Sequence, residues 1–339
     1  MTKRLYNVRM FWRVKVLTVG AGTRDVFVKS QRFEQRTDVH APDGFDACFP
    51  MGAKIPLDDV ILETGGGATN AAVTFSRFGI KTACACRVGD DDNGKSVLAA
   101  LKNNRVGLKA VQLDKGAKTS YSVILLSGTG HRSILAYRGA SNNLDPQSIP
   151  WKKLQPKWVY LTSMGGDMKK NRAIVSQSKG QGARIAWNPG NGELHHGLKK
   201  LEPLIEQTDI LIVNREEAAM LTGQPPRMLD RIAADLAGMT RTALVITDGP
   251  HGAYAYETVS GRGFFAPAVP GKRINTTGAG DAFGSALTAA FIKTGNLQTA
   301  LKAAALNSNG VITHMGAKAG ILKRFPTEKE LERVKIKML

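Results

Sequence analysis

A carboxylate that opens a helix directly behind three small residues is where chemistry first becomes legible in this chain. The run Asn275-Thr276-Thr277-Gly278-Ala279-Gly280-Asp281 leads into Ala282, Phe283, Ala286, Leu287, Ala290 and Phe291. That spacing predicts one apolar face of a helix. Small residues feeding a helix N-terminus leave backbone N–H groups free and aim the positive end of the helix dipole at one point. Such a point is an anion site, and phosphate is its usual guest. Asp281 has two readings there. It serves the helix terminus alone, or it is a general base beside a phosphoryl group in transfer.

Other stretches could supply partners. Gly65-Gly66-Gly67-Ala68-Thr69-Asn70 enters a predicted helix with apolar Ala71, Ala72, Phe75 and Phe78, ended by Gly79. Glycines let a ligand lie against the backbone, and a carboxamide offers both donor and acceptor to hydroxyls. Asn214 and Glu217 follow the apolar run Ile210–Val213 with the spacing of an N-cap and its N3 partner. Thr247, Gly249 and Gly252 follow the run Ala243–Ile246, and parallel strands present ligands at such carboxyl ends. Asp90-Asp91-Asp92 lacks the alternating ligands and terminal Glu of a calcium loop, so it reads as a turn before a helix. His195-His196 has no partner ligands at usable spacing and reads as a surface pair.

In this order, the stretches resemble the PfkB carbohydrate kinases of the ribokinase-like superfamily. N-T-T-G-A-G-D at 275–281 is similar to that family's C-terminal D-T-x-G-A-G-D signature, with Asn275 in place of the first Asp. Residues 65–79 resemble its N-terminal G-G-x-x-x-N signature, Asn214–Glu217 its N-x-x-E motif and Thr247–Gly252 its T-x-G-x-x-G loop. The resemblance spans about residues 13 to 335 and implies phosphorylation of a hydroxyl, a primary one, on a sugar or sugar-like substrate by ATP with Mg²⁺. It implies that Asp281 is the base and that Gly278, Ala279 and Gly280 hold the γ-phosphate. Asp25, Gly65, Gly66, Asn70 and Arg138 would meet the sugar. Asn214, Thr247, Gly249, Gly252, Thr277 and Asn309 would meet the nucleotide, and Glu217 would place Mg²⁺ through water. Asn275 keeps an oxygen ligand but not the charge with which relatives bind a monovalent cation, which implies weak or absent potassium activation. Gly67 stands where ribokinases carry Lys, and the Glu they carry near Ser163 is absent, so the resemblance leans away from ribose. A nucleoside kinase of the adenosine or inosine type is the alternative within the superfamily. A catalytically silent sugar-binding regulator is the alternative of another class, and Asp281 speaks against it because binding needs no base. The family also implies a homodimer through a small β-sheet lid.

The elements that must position these groups follow from pattern. Arg13–Gly20 predicts a first strand, with Asp25 in the turn beyond it. Trp158–Leu161, Arg184–Trp187, Ile210–Val213 and Ala243–Ile246 predict strands that alternate with helices, hence a mostly parallel sheet with helices on both faces. Lid segments are expected at about 26–62 and 118–138, the second as a hairpin, within a single kinase domain over 13–335. Residues 1–12 form a basic extension that is not a signal peptide, and Met10 is an alternative start. Cys48, Cys84 and Cys86 give no disulfide framework and point to a reducing, cytoplasmic setting, with Cys84 and Cys86 on one side of a strand. The formal charge of +19 favours anionic partners such as ATP. No nucleic-acid-binding motif accompanies it, so nucleic acid is not the expected partner, and no apolar run has the length of a membrane span.

Overall fold

The computed structural model describes residues 13–38, 44–127 and 132–339. The predicted basic extension at 1–12, with Met10, and the hairpin tip at 128–131 lie outside the described residues.

Uninterrupted apolar runs become strands buried on both faces. β1 (Val16–Val19) is buried along its length. The chain then turns polar: β2 (Thr23–Ser30) and β5 (Asp59–Gly65) enter a second, smaller sheet, and β3 (Glu34–Thr37) and β4 (Phe45–Cys48) between them form a two-stranded sheet of their own. β6 (Thr82–Ala85) returns to the core, followed by the short pair β7 (Arg87–Gly89) and β8 (Gln112–Asp114). The hairpin β9 (Ser120–Ser127) and β10 (Arg132–Tyr137) rejoins the small sheet. β11 (Trp158–Leu161), β12 (Arg184–Trp187), β13 (Ile210–Asn214) and β14 (Ala243–Thr247) alternate with helices as their sequence pattern predicts. β15 (Ala253–Glu257), β16 (Gly263–Ala266) and β17 (Lys337–Met338) finish the edge.

The main sheet runs β17-β16-β15-β14-β13-β12-β11-β1-β6. It is parallel from β6 through β14 and antiparallel beyond. Alternate residues feed the two faces: Val159 and Leu161 join one apolar cluster, while Trp158 and Tyr160 join the other. Helices therefore cover both faces. Asp91 caps the helix Asp92–Asn103, which disposes of the acidic run as the expected turn. All three cysteines are free, and Cys84 and Cys86 are buried side by side.

The second sheet runs β10-β9-β2-β5 and takes strands from both segments expected to form a lid. It starts earlier than expected, because β2 and β5 pair from Thr23 and Gly65 onward. Asp25 is thus a strand residue, held extended between Glu63 of β5 and Ser122 of β9, and not a turn residue. The helix Ala279–Thr294 also departs from its predicted single apolar face. It is buried continuously from Ala282 to Ala290, because the sheet, the helix Gly67–Arg77 and the helix Leu297–Ile312 pack around it.

Gly284 marks how tight that packing is: a Cβ there would lie 2.4 Å from the hydroxyl oxygen of Tyr160. Gly284→Ala is expected to cost about 1–3 kcal/mol by overpacking. Urea unfolding reads this as a lower midpoint at unchanged slope, and an unchanged midpoint would show that the helix has slack against β11.

Candidate active site

Gly278 is the N-cap of the Ala279–Thr294 helix, with φ of 82°. A side chain would be strained there, and a Cβ would lie 2.4 Å from that of Ala317. The turn before it is held by Asn275, whose Oδ1 accepts from the Thr277 N–H at 3.0 Å. The Ala279 N–H donates to the Thr276 carbonyl at 3.2 Å. Gly280 and Asp281 belong to the first helical turn, so their N–H groups have no intrahelical acceptor and face outward.

Asp281 is half-buried at this helix end, and its Oδ2 accepts from Asn70 Nδ2 at 2.8 Å. Asn70 is buried on the helix Gly67–Arg77, and its Oδ1 accepts from Lys318 Nζ at 2.6 Å. Burial pushes the Asp281 carboxyl above the ordinary aspartate range, the Asn70 hydrogen bond and the Lys318 charge hold it down, and the charge of Asp25 pushes it up. Burial also pulls the Lys318 ammonium down to about 8, against the pull of Asp25, Asp281, Glu63 and Cys84.

Asp25 is buried on β2, where its Oδ1 accepts from the Thr23 hydroxyl at 2.9 Å. Its other oxygen lies so close to Gly65 that a Cβ there would sit 1.8 Å away. The absence of a side chain at Gly65 therefore admits the carboxylate. Asn214 and Glu217 bond reciprocally, Asn214 Oδ1 accepting from the Glu217 N–H at 2.7 Å and Glu217 Oε2 accepting from the Asn214 N–H at 2.8 Å. The expected capping box is thus present, and burial raises the Glu217 carboxyl.

Two cavities meet at the Gly278–Asp281 turn. One, of about 460 Å³, is lined by Thr247, Gly249, Gly252 and Asn309 together with apolar Val269, Ala305 and Ile312. The other, of about 390 Å³, is lined by Arg138, Ser163, Asn188, Asn214, Glu217 and Asp281 among others. Thr247 and Gly280 line both. The sequence-predicted nucleotide residues thus divide: Thr247, Gly249, Gly252 and Asn309 share the larger cavity, Asn214 lines the smaller, and Thr277 lines neither. The Thr277 hydroxyl is buried without a partner among the described residues. Of the predicted sugar residues, Arg138 lines the smaller cavity. Asp25, Gly65, Gly66 and Asn70 do not line it themselves; Asn70 reaches it through Asp281.

Among the described residues no group of three or more His, Cys, Asp or Glu could hold a metal. Glu217 and Asn214, side by side on a cavity wall, instead fit a cation that keeps most of its waters, as Mg²⁺ does.

Two parts of the site are silent in the sequence reading. Lys318 is one, since a single lysine in a turn carries no sign of burial. Glu193 is the other. It is fully buried and its carboxylate accepts from the Ser163 hydroxyl at 2.8 Å and from the N–H groups of Met164, Gly166 and Gly190 at 2.7, 2.9 and 3.0 Å. It ties together the two loops that wall the smaller cavity. Asn188-Pro189-Gly190, a turn at the carboxyl end of β12, is the one local signal that could have pointed there.

Residues 52–324 match the profile described as pfkB family carbohydrate kinase. Fructokinase-1 of Zea mays is 28% identical over 287 residues, covering 79% of this chain and 86% of its own. An E. coli chain solved in complex with ATP and Mg²⁺ aligns with a TM-score of 0.74 at 18% identity, over 94% of this chain and 98% of its own. The Burkholderia thailandensis nucleoside kinase in complex with inosine aligns with a TM-score of 0.72 at 22% identity, over 93% and 96%.

The geometry around Asp281 has a direct readout. In ¹³C NMR its carboxyl carbon is expected to titrate above the ordinary aspartate value of about 3.9. Asn70→Ala, which removes the donor to the ionised form, is expected to move the titration higher still. An Asp281 that titrates at or below the ordinary value would mean that the site is open to water.

Proposed function

The chain belongs to the pfkB family of carbohydrate kinases, and on that premise we propose that it moves the γ-phosphoryl group of ATP to a primary hydroxyl of a sugar, with Asp281 as general base. It is an ATP-dependent phosphotransferase with a sugar or nucleoside hydroxyl as acceptor. The observation that carries the finer reading is the position of Asp281, on a helix turn whose N–H groups open onto the junction of two cavities.

ATP lies in the larger cavity in this reading, its base against Val269, Ala305 and Ile312 and its phosphates toward Gly278 and Gly280. The acceptor lies in the smaller cavity, its hydroxyl beside Asp281. Asp281 takes the proton as that oxygen attacks. The outward N–H groups of the turn meet the negative charge that develops on the transferring group. The lid keeps water, a competing acceptor, away. Mg²⁺ bound with ATP supplies neutralising charge on the phosphates, and Asn214 and Glu217 are the residues that would hold its water shell.

The smaller cavity favours a sugar over a nucleoside. No aromatic ring lines it among the described residues, so a nucleobase would find no stacking partner. Its hydroxyls, carboxamides and Arg138 suit sugar hydroxyls. The maize relative is a fructokinase, which makes a ketohexose the first acceptor to test. The reading takes residues 13–335 as one kinase domain in a reducing cytoplasm. Among the described residues no helix is long and apolar enough to cross a membrane. It includes a homodimer formed through the lid, where β10 is exposed along its length.

Asn275 bears on the monovalent cation. It is buried, its Oδ1 is committed to the Thr277 N–H, and its Nδ2 has no acceptor among the described residues. The reverse orientation would set two donors against each other. A buried, unpaired N–H group beside the turn is the wrong polarity for a cation.

ATP consumption with Mg²⁺ across fructose, ribose, 2-keto-3-deoxygluconate, adenosine, inosine and cytidine tests the reading. One sugar is expected to turn over, and Asp281→Asn to lower that rate by about 10²-fold or more. No turnover on any acceptor with ATP still bound, or a full rate in the variant, would sink it. Replacing sodium by potassium in the same assay is expected to leave the rate nearly unchanged, and a many-fold rise would overturn the Asn275 argument.

A further inference from the structure

Residues 316–318 touch three parts of the site in succession. Gly316 lies against the lid, where a Cβ would come 2.8 Å from Glu63 Cγ of β5. Ala317 packs on Gly278 and so braces the turn that presents the anion-binding N–H groups. Lys318 then turns inward and is only 6% exposed. Its Nζ donates to the Thr64 carbonyl at 2.6 Å and to Asn70 Oδ1 at 2.6 Å.

The second bond has a consequence for the base. An ammonium group only donates, so Asn70 must turn its oxygen toward Lys318. The amide nitrogen is left facing Asp281, which it meets at 2.8 Å. Flipping the carboxamide would set nitrogen against ammonium and oxygen against carboxylate, two repulsions in place of two bonds. The charged and titratable groups facing Lys318 are Asp25 of β2, Glu63 of β5, Asp281 of the Ala279–Thr294 helix, Cys84 of β6 and Cys86 just beyond it. The charges of three carboxylates thus act on one buried cation.

We propose that Lys318 is the positioning residue of the phosphotransfer, fixing the Asn70 carboxamide against Asp281 and balancing the negative charge around it. This rests on the reading of Asp281 as general base. Lys318 does not line the acceptor cavity and touches no reacting atom; it acts through Asn70 and through its charge. The direction follows from the burial effect already described. Burial favours the protonated Asp281, and Asn70 and Lys318 are the two groups that oppose it. Removing the lysine removes one of them and frees the other to flip.

The test compares wild type with Lys318→Met, which keeps the length and apolar stem without the charge, and with Lys318→Arg, which keeps the charge. The ¹³C titration of the Asp281 carboxyl in the protein without ligands is the deciding readout. It is expected to move to higher pH in Lys318→Met and to stay near wild type in Lys318→Arg. With the sugar identified by the acceptor panel, kcat of Lys318→Met at neutral pH is expected to fall about 10-fold or more and to recover in part as pH rises. Its affinity for a fluorescent ATP analogue is expected to be unchanged. Should Lys318→Met fail to fold, Lys318→Gln, an uncharged donor, takes its place in the same titration. A folded variant whose Asp281 titration is unmoved overturns the proposal, whatever its melting temperature, and leaves Lys318 a structural anchor. If wild type phosphorylates no acceptor, the kinase reading fails while the carboxyl titration still decides what Lys318 does to Asp281.

Discussion

A carboxylate can take a proton at neutral pH only while it is ionised, yet the burial that keeps water from a phosphoryl group favours its protonated form. As the proposed base, Asp281 sits in that conflict, and much of the architecture answers it. The helix that begins at Ala279 turns its positive end toward the carboxylate. Asn70 donates to the ionised oxygen, and Lys318 supports Asn70 from behind. None of these groups is near another in sequence. They meet because the main sheet gathers its loops and helix ends at the carboxyl edge of the parallel strands, where an open α/β sheet leaves a crevice.

The same conflict explains why close approach matters more here than surface shape. In the proposed reading the base, its supports and the anion-binding turn must lie within hydrogen-bond reach of one another. Gly65 and Gly278 provide this, since each has a neighbour closer than any Cβ would allow. Gly284 does it from inside, letting the helix settle onto β11 under the site. The small sheet contributes in a second way, because β2 and β5 carry Asp25 and Glu63, whose charges act on Lys318. The small sheet and the charge arrangement are thus parts of one structure.

What could be read in the sequence follows the physics of each feature. β11 to β14 were legible because a strand buried on both faces must be an uninterrupted apolar run, and such runs have few other readings. The helix start at Ala279 was legible because a glycine stands at Gly278, where the backbone is left-handed and a Cβ would strike Ala317. The capping box of Asn214 and Glu217 was legible because both partners lie within one turn. The full burial of the Ala279–Thr294 helix was not, since its alanines are compatible with a half-exposed face until a second and third helix pack on it. Asp25 read as a turn residue because its pairing partners, Glu63 and Ser122, lie far along the chain. Glu193 and Lys318 were illegible for a stronger reason. Charged side chains are mostly exposed, so a buried one is decided by partners that local sequence does not name.

Asn275 shows how one atom can change the balance of such a site. The turn before Gly278 needs an acceptor for the Thr277 N–H, and an aspartate oxygen would serve as well as the amide oxygen that is there. The aspartate would also place a negative charge in a buried position next to the turn that must attract phosphate, and at low effective dielectric that repulsion is substantial. A bound cation is one way to cancel it. The amide is another: it keeps the hydrogen bond that shapes the turn and removes the charge that the cation would have neutralised. In the proposed reading the requirement for a cation then disappears together with its ligand, and the N–H groups of the turn would face the phosphate without a competing charge behind them.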